Sequence, residues 1–235
     1  MDFYKQLSEF YDIIFPLNEQ SIHFIAEKID IGPILDLAAG TGNHAIALAK
    51  KGYDVTATDL DQNMIEKVEQ KASVNNVSIN TLQLAMEELD QLSENRFSSI
   101  ICIGNSLVHL QNLEDVATVV SQMRDLLNEN GKLLIQVVNY DRVLSEGITE
   151  LPIIERENVA FYRTYEHQND KIIFKGKLIA EEQTYENEVS LLPLTSRHLQ
   201  QILNKANFKE IKMYGSFKGE TFTEASPALI IEATK

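Results

Sequence analysis

Apolar positions in the first 140 residues fall into two patterns that alternate along the chain. Ile22, Ile25, Ala26 and Ile29 recur at helical spacing behind Asn18, an effective N-cap, and predict a helix. Pro33 to Ala38 is a short apolar strand, Asn43 to Lys51 a helix, and Tyr53 to Thr58 a second strand. Met64, Ile65, Val68 and Ala72 mark a helix capped by Asp61 and ended by Asn75-Asn76, and Val77 to Leu84 reads as strand. Phe97 to Gly104 is almost continuously apolar, as expected of a strand covered on both faces. Val116, Val119, Val120, Met123 and Leu127 predict a helix ended by Asn130-Gly131, and 131–138 a fifth strand. This alternation predicts an α/β fold with a doubly wound, mostly parallel sheet.

Between about Leu151 and Leu194 the period drops to two. Val159, Phe161 and Tyr165 share one face, then Ile172, Phe174 and Leu178, then Tyr185, Val189 and Leu191. These runs predict antiparallel strands inserted into the domain, with Asn169-Asp170 as a turn. Helical spacing returns at Leu199, Ile202, Leu203 and Ala206 behind Thr195, and Phe208 to Gly215 and Ala228 to Ala233 follow as strands.

The chemistry begins in Asp36-Leu-Ala-Ala-Gly-Thr-Gly-Asn43, where the first strand runs into a glycine turn. Gly40 and Gly42 allow a tight turn and close approach of a ligand to the backbone. Gly40, Gly42 and Ala45 also satisfy G-x-G-x-x-A, a weak pattern that on its own points to a nicotinamide dinucleotide and an oxidoreductase. Asp36 opposes that reading, because a carboxylate inside an apolar strand before the turn repels a pyrophosphate and favours a cation. Asp59, nineteen positions beyond Gly40 at the tip of the next strand, suits the two hydroxyls of a ribose. An acid for a cation and an acid for a ribose describe S-adenosylmethionine.

With these residues the chain resembles the class I S-adenosylmethionine-dependent methyltransferases. Their acid-x-G-x-G-x-G motif is matched by Asp36 to Gly42, with Ala38 in place of the first glycine. The resemblance implies a Rossmann-like sheet of seven strands ending in a reversed hairpin. It carries Asp36, Ala38 and Gly40 onto the methionine part of the cofactor, and Asp59, Leu60 and Met64 onto ribose and adenine. Where the family often has an acid for the adenine amino group this chain has Ala85, which leaves the adenine to backbone groups around Met86 and to apolar packing. Tyr4 and Tyr11 fall in an N-terminal stretch that in similar enzymes folds over the cofactor, and Tyr11 is the preferred contact. The implied organisation is N-terminal helices and cofactor-binding core in 1–150, an antiparallel insertion over the acceptor site in 151–194, and a C-terminal helix and hairpin in 195–235.

Ligands of open α/β sheets bind beyond the strands' carboxyl ends where strand order reverses, so the segment from Ile103 through Asn105 to His109 faces the transferred methyl group. Ile-Gly-Asn-Ser-x-x-His-Leu, together with Asn139-Tyr140-Asp141, is similar to the glycine and sarcosine N-methyltransferase branch and implies a small amine acceptor. That branch has an arginine before Asn-Tyr-Asp to hold the substrate carboxylate, and here the residue is Val138. Arg163, alternating with apolar residues of the insertion, is a candidate replacement, with a salt-bridged or edge-strand arginine as the plainer reading. His109 is a candidate base or hydrogen-bonding anchor, Asn105 a candidate to orient cofactor or acceptor, Tyr140 a candidate pocket wall, and His44 reads as an exposed first-turn residue.

Composition narrows the partners. With 21 basic and 35 acidic residues among 235, the net charge of −14 has the wrong sign for holding a nucleic-acid backbone. Cys102 has no disulfide partner, metal-ligand spacings are absent, and no apolar stretch reaches membrane-spanning length, so a cytoplasmic protein without a metal centre is expected. Oligomeric state is left open, and a non-catalytic cofactor-binding protein stands as a third reading.

Overall fold

The computed structural model describes residues 3–156 and 158–235. Two helices, α1 (Phe3–Ile14) and α2 (Glu19–Lys28), precede the sheet. The alternating core then runs β1 (Pro33–Leu37), α3 (Asn43–Lys50), β2 (Asp54–Asp59), α4 (Gln62–Val74), β3 (Asn80–Gln83), β4 (Phe97–Cys102), α5 (Leu113–Leu126), β5 (Leu127–Val138) and α6 (Tyr140–Ser145). Four strands follow, β6 (Ile154–Arg156), β7 (Val159–Gln168), β8 (Lys171–Ala180) and β9 (Gln183–Leu191), and then α7 (Ser196–Lys205), β10 (Lys209–Tyr214) and β11 (Ala228–Thr234).

The large sheet has the order β10-β11-β5-β4-β1-β2-β3, and the small one β6-β7-β8-β9. In the large sheet β11 is antiparallel to both neighbours, and the pairs among β1 to β5 are parallel. The chain reverses direction across the sheet between β1 and β4, which opens the ligand crevice there. Asn18, Asp61, Asn112, Asn139 and Thr195 each cap a helix by accepting a backbone N–H, as the sequence predicts for Asn18 and Asp61.

Two element boundaries differ from the sequence pattern. Leu127 leaves the helix and pairs with Phe97 as the first residue of β5, after which the ladder resumes at Lys132 opposite Ser99. The helical stripe ends one residue early, at Leu126, and Leu127 is 1% exposed in the strand. The third strand is shorter than Val77 to Leu84, since Val77 instead closes α4 by donating to the Ala72 carbonyl.

Three apolar clusters hold the molecule together. The two larger ones lie within the α/β core, and the third joins α1 to the small sheet through Leu7, Ile14, Val159, Phe161, Leu178 and Ala180. Helix α1 therefore belongs, by packing, to the inserted sheet as much as to the core it covers.

Candidate functional site

The motif turn gains its shape from three left-handed residues spaced two apart: Ala38 (φ 57), Gly40 (φ 56) and Gly42 (φ 77). A side chain at Gly42 would collide with Val68 at 2.8 Å, so that glycine is required for α3 to pack on α4. Ala38 holds a conformation that disfavours any Cβ.

Asp36 lies in the middle of β1, flanked in register by Ala57 and Ile101, and is 2% exposed. The backbone N–H of Ala45 donates to its carboxylate, while Oδ2 has no partner. Burial pushes its pKa up to about 7, with the charge of Asp59 adding to the effect. A desolvated carboxylate with one oxygen unpaired beside a backbone turn can pair with a cationic group, which would restore its ionisation.

At the tip of β2, Asp59 Oδ2 accepts from the Gly40 N–H at 2.8 Å and Oδ1 from the Asp61 N–H at 3.0 Å. These bonds, with a further one from the Leu60 N–H, fix the carboxylate above the turn. Leu60 beside it is 69% exposed, Met64 is buried under the same loop, and Met86 is half-buried at the start of the short helix that follows β3. The Gln83 side chain ties down the Leu60 carbonyl at 3.0 Å. Ile103 is buried with the cluster beneath the crevice.

Helix α1 closes over this end of the sheet. Tyr11 lies against Gly40, its hydroxyl 3.6 Å from where a Cβ would stand. Burial, with Asp59, Asp12 and Asp36 nearby, pushes its phenol up to about 12, so it remains a neutral hydrogen-bonding group. Next to it Asp12 Oδ1 accepts from Thr41 Oγ1 (2.6 Å) and Asn43 Nδ2 (2.9 Å), and Oδ2 pairs with Lys71 (2.7 Å). Thr41 is part of the motif turn, so α1 is fastened directly to it. The Tyr4 side chain lies outside the described residues.

His44 is half-buried rather than exposed. Its Nε2 is 3.0 Å from Ser21 Oγ, whose own proton goes to the Asn18 carbonyl at 2.6 Å, so the imidazole donates through Nε2. Burial holds its pKa down to about 4. The first turn of α3 faces α2, which helical periodicity within α3 alone does not reveal.

On the acceptor side the loop after β4 is tied to the end of β5. Asn105 Oδ1 accepts from the Val138 N–H (2.9 Å), and its Nδ2 donates to Tyr140 Oη (3.1 Å). Tyr140 is fully buried, and its hydroxyl also interacts with that of Tyr165; burial raises the pKa of both phenols. Asn139 donates to the carbonyls of Glu224 and Ser226, both at 2.9 Å, and Asp141 accepts from Ser196 N (2.7 Å) at the start of α7. The Asn139-Tyr140-Asp141 triplet is thus a hub joining β5 to four separate segments. Tyr165 was not singled out from the sequence, because in a period-two apolar stripe its hydroxyl carries no separate signal.

His109 ends a short helical turn at Leu107–His109; its residue surface reaches solvent, and desolvation of the ring by the groups packed around it holds its pKa below the ordinary value. Arg163 is half-buried on β7 and donates to the Pro152 carbonyl at 2.7 Å. Cys102 is buried in β4 and its thiol is pushed up to about 12, which makes it inert core. Among the described residues no three His, Cys, Asp or Glu side chains gather as a metal site, and no helix is long and apolar enough to cross a membrane.

The strand order with a reversed β11, the left-handed turn after β1 and the acids at Asp36 and Asp59 are the arrangement expected of an S-adenosylmethionine-dependent methyltransferase, and the chain carries a methyltransferase domain. Residues 34–131 match the methyltransferase domain family, which decides against the nicotinamide reading of the glycine turn. The glycine/sarcosine N-methyltransferase of Halorhodospira halochloris is 28% identical over 204 residues, covering 86% of this chain and 74% of that protein. That of Aphanothece halophytica is 26% identical, with coverage of 86% and 75%. A methyltransferase structure from Clostridium acetobutylicum superposes with a TM-score of 0.84 at 17% identity over 99% of both chains, a likeness of fold.

Proposed function

We propose that this enzyme transfers the methyl group of S-adenosylmethionine to an amine nitrogen of a small molecule in the cytoplasm, leaving S-adenosylhomocysteine. The observation that carries the acceptor class is the extent of the similarity to glycine/sarcosine N-methyltransferases. At 86% of the chain it is too long to leave out the four-stranded sheet, where the acceptor side is built. The net charge of −14 agrees with a small or cationic acceptor rather than a nucleic acid.

When bound, S-adenosylmethionine supplies an activated methyl group, so the protein's task is to position and desolvate. Asp36 takes the cationic amino end, Asp59 the ribose, Leu60, Met64 and the Met86 backbone the adenine, and Tyr11 covers the turn from above. Asn105 shapes the loop facing the methyl group through its two bonds to Val138 and Tyr140. An amine attacks only when unprotonated; a dry pocket lowers its pKa, and the neutral imidazole of His109 can receive the proton it sheds. Arg163 is assigned to the acceptor.

Isothermal titration with S-adenosylmethionine and S-adenosylhomocysteine tests the cofactor half, and absence of micromolar-range binding would overturn it. Release of S-adenosylhomocysteine across a panel of amines, phenols and acids tests the acceptor half. Turnover confined to phenols or acid oxygens would replace the amine assignment.

A further inference from the structure

The loop after β4 bends through two left-handed residues, Gly104 (φ 99) and Asn105 (φ 69). Asparagine tolerates that conformation better than most residues with a Cβ, and local bonds are what hold it there. The Gly104 N–H donates to Gln136 Oε1 at 2.8 Å and the Asn105 N–H to the Gln136 carbonyl at 3.1 Å. The Asn105 side chain then carries the contact onward to Val138 and Tyr140.

The protons in that contact have only one consistent arrangement. A backbone N–H can only donate, so Asn105 Oδ1 is the atom that meets Val138, and Nδ2, a donor, is the one that meets Tyr140. Tyr140 Oη therefore accepts, and its own proton has to go elsewhere. The side chain is fully buried, out of reach of bulk water, and its hydroxyl interacts with that of Tyr165. Contact thus runs from Asn105 through Tyr140 to Tyr165 and ends on β7 of the inserted sheet.

Two more ties join the same sheet to the same segment. The Leu192 N–H, one residue past β9, donates to the Val108 carbonyl at 2.8 Å, and Lys171 at the start of β8 donates to the Gln111 carbonyl. Those two grip the far end of the segment, whereas Tyr165 reaches its left-handed bend. Tyr165 is itself well fixed. Its N–H donates to the Thr149 carbonyl at 2.7 Å, and its ring lies tilted against Phe174 with centroids 6.0 Å apart. Phe174 and Val189 complete its cross-strand row, where a phenylalanine would fill the same space, so the hydroxyl is the part that packing does not require.

Resting on the methyl-transfer reading, we infer that Tyr165 is a positioning residue for the reaction: acting through Tyr140, it holds Gly104 and Asn105 in the bend that presents the loop to the methyl group. Once the methyl group is activated, the geometry of approach is the main thing the protein has left to supply. The inserted sheet then acts on turnover through this loop as well as by covering the site.

The test uses the full chain. Exchange of the Val138 amide hydrogen, which Asn105 Oδ1 holds, is followed by NMR in the ligand-free protein and with S-adenosylhomocysteine at saturation, so no acceptor is needed. Tyr165→Phe keeps the ring and is expected to speed that exchange roughly tenfold, with S-adenosylhomocysteine affinity unchanged in titration calorimetry. With S-adenosylmethionine and an acceptor from the amine panel, its kcat falls on the order of tenfold while the KM for S-adenosylmethionine stays the same. Tyr140→Phe loses at least as much, and the Tyr140→Phe/Tyr165→Phe double variant is no slower than Tyr140→Phe alone, because one acts through the other. Tyr162→Phe, on the opposite face of β7, leaves exchange and turnover as in the wild type. A wild type that binds no cofactor or methylates no amine counts against the methyl-transfer reading, and the exchange measurement still decides the inference. Unchanged Val138 exchange or unchanged kcat in Tyr165→Phe, a loss confined to cofactor affinity, or additive losses in the double variant overturns it.

Discussion

Three residues around the motif turn set measurable behaviour. Asp36, with its pKa near 7, holds a cation only when ionised, so S-adenosylmethionine affinity rises up to about tenfold per pH unit until about pH 7 and then levels. Titrations at pH 6, 7 and 8 check this, and Asp36→Asn binds weakly with no such dependence. The ligand-free protein follows the opposite sign. A carboxyl raised from 3.8 to about 7 on folding makes stability fall as pH climbs through that window. His44, lowered from 6.5 to about 4, makes stability fall as pH drops through its own window, so the two slopes oppose each other. Thermal melts of wild type and Asp36→Asn should therefore diverge from pH 4 to pH 7, with the variant gaining. At Ala38 the left-handed backbone costs about 1 kcal/mol for a residue with a Cβ, close to what glycine loses through its freer unfolded chain. Ala38→Gly is expected to change stability by under about 1 kcal/mol in urea titrations, and Ala38→Val to destabilise by more than that.

At the scale of elements, α1 is held to the core through side chains and to the small sheet through apolar burial. Asp12 is the fastening on the core side, accepting from Thr41, Asn43 and Lys71. Its side chain is about half exposed, so the ion pair itself is screened and the bonds to Thr41 and Asn43 matter more. Asp12→Ala is expected to weaken cofactor binding on the order of tenfold and to speed product release in stopped-flow chase, while the melting temperature shifts by only a few degrees. Sequence patterns reveal the elements themselves well. The apolar strands of the parallel core, the capped helices and the period-two insertion all announce themselves because each buries a face with its own repeat. The glycine turn and its two acids are legible for the same local reason. What stays hidden is every contact made between distant segments: His44 with Ser21, Asp12 with the turn, Asn139 with the 223–226 segment. The roles of Tyr140 and Asp141 look like pocket or turn chemistry in a linear motif, and only the folded chain shows them as anchors.

For the whole molecule, one apolar cluster ties α1 to β6–β9 as a cap, and Tyr165, Ile172 and Leu191 of the same sheet pack that cap onto the main core. The cap has its own buried cluster, so it should respond to ligand as one body. Hydrogen exchange with and without S-adenosylhomocysteine is expected to show α1 and residues 154–191 gaining protection together, in step with the 36–43 turn. Protection of the turn without the cap would show that the two are uncoupled. The order of the large sheet has a consequence for synthesis. Strand β11, translated last of the eleven, fits between β5 and β10 and pairs with both. Until it leaves the ribosome β10 lacks its sheet partner and the inner edge of β5 stays open, so a nascent chain can assemble its glycine turn early yet remain a sticky, unsealed sheet until β11 emerges.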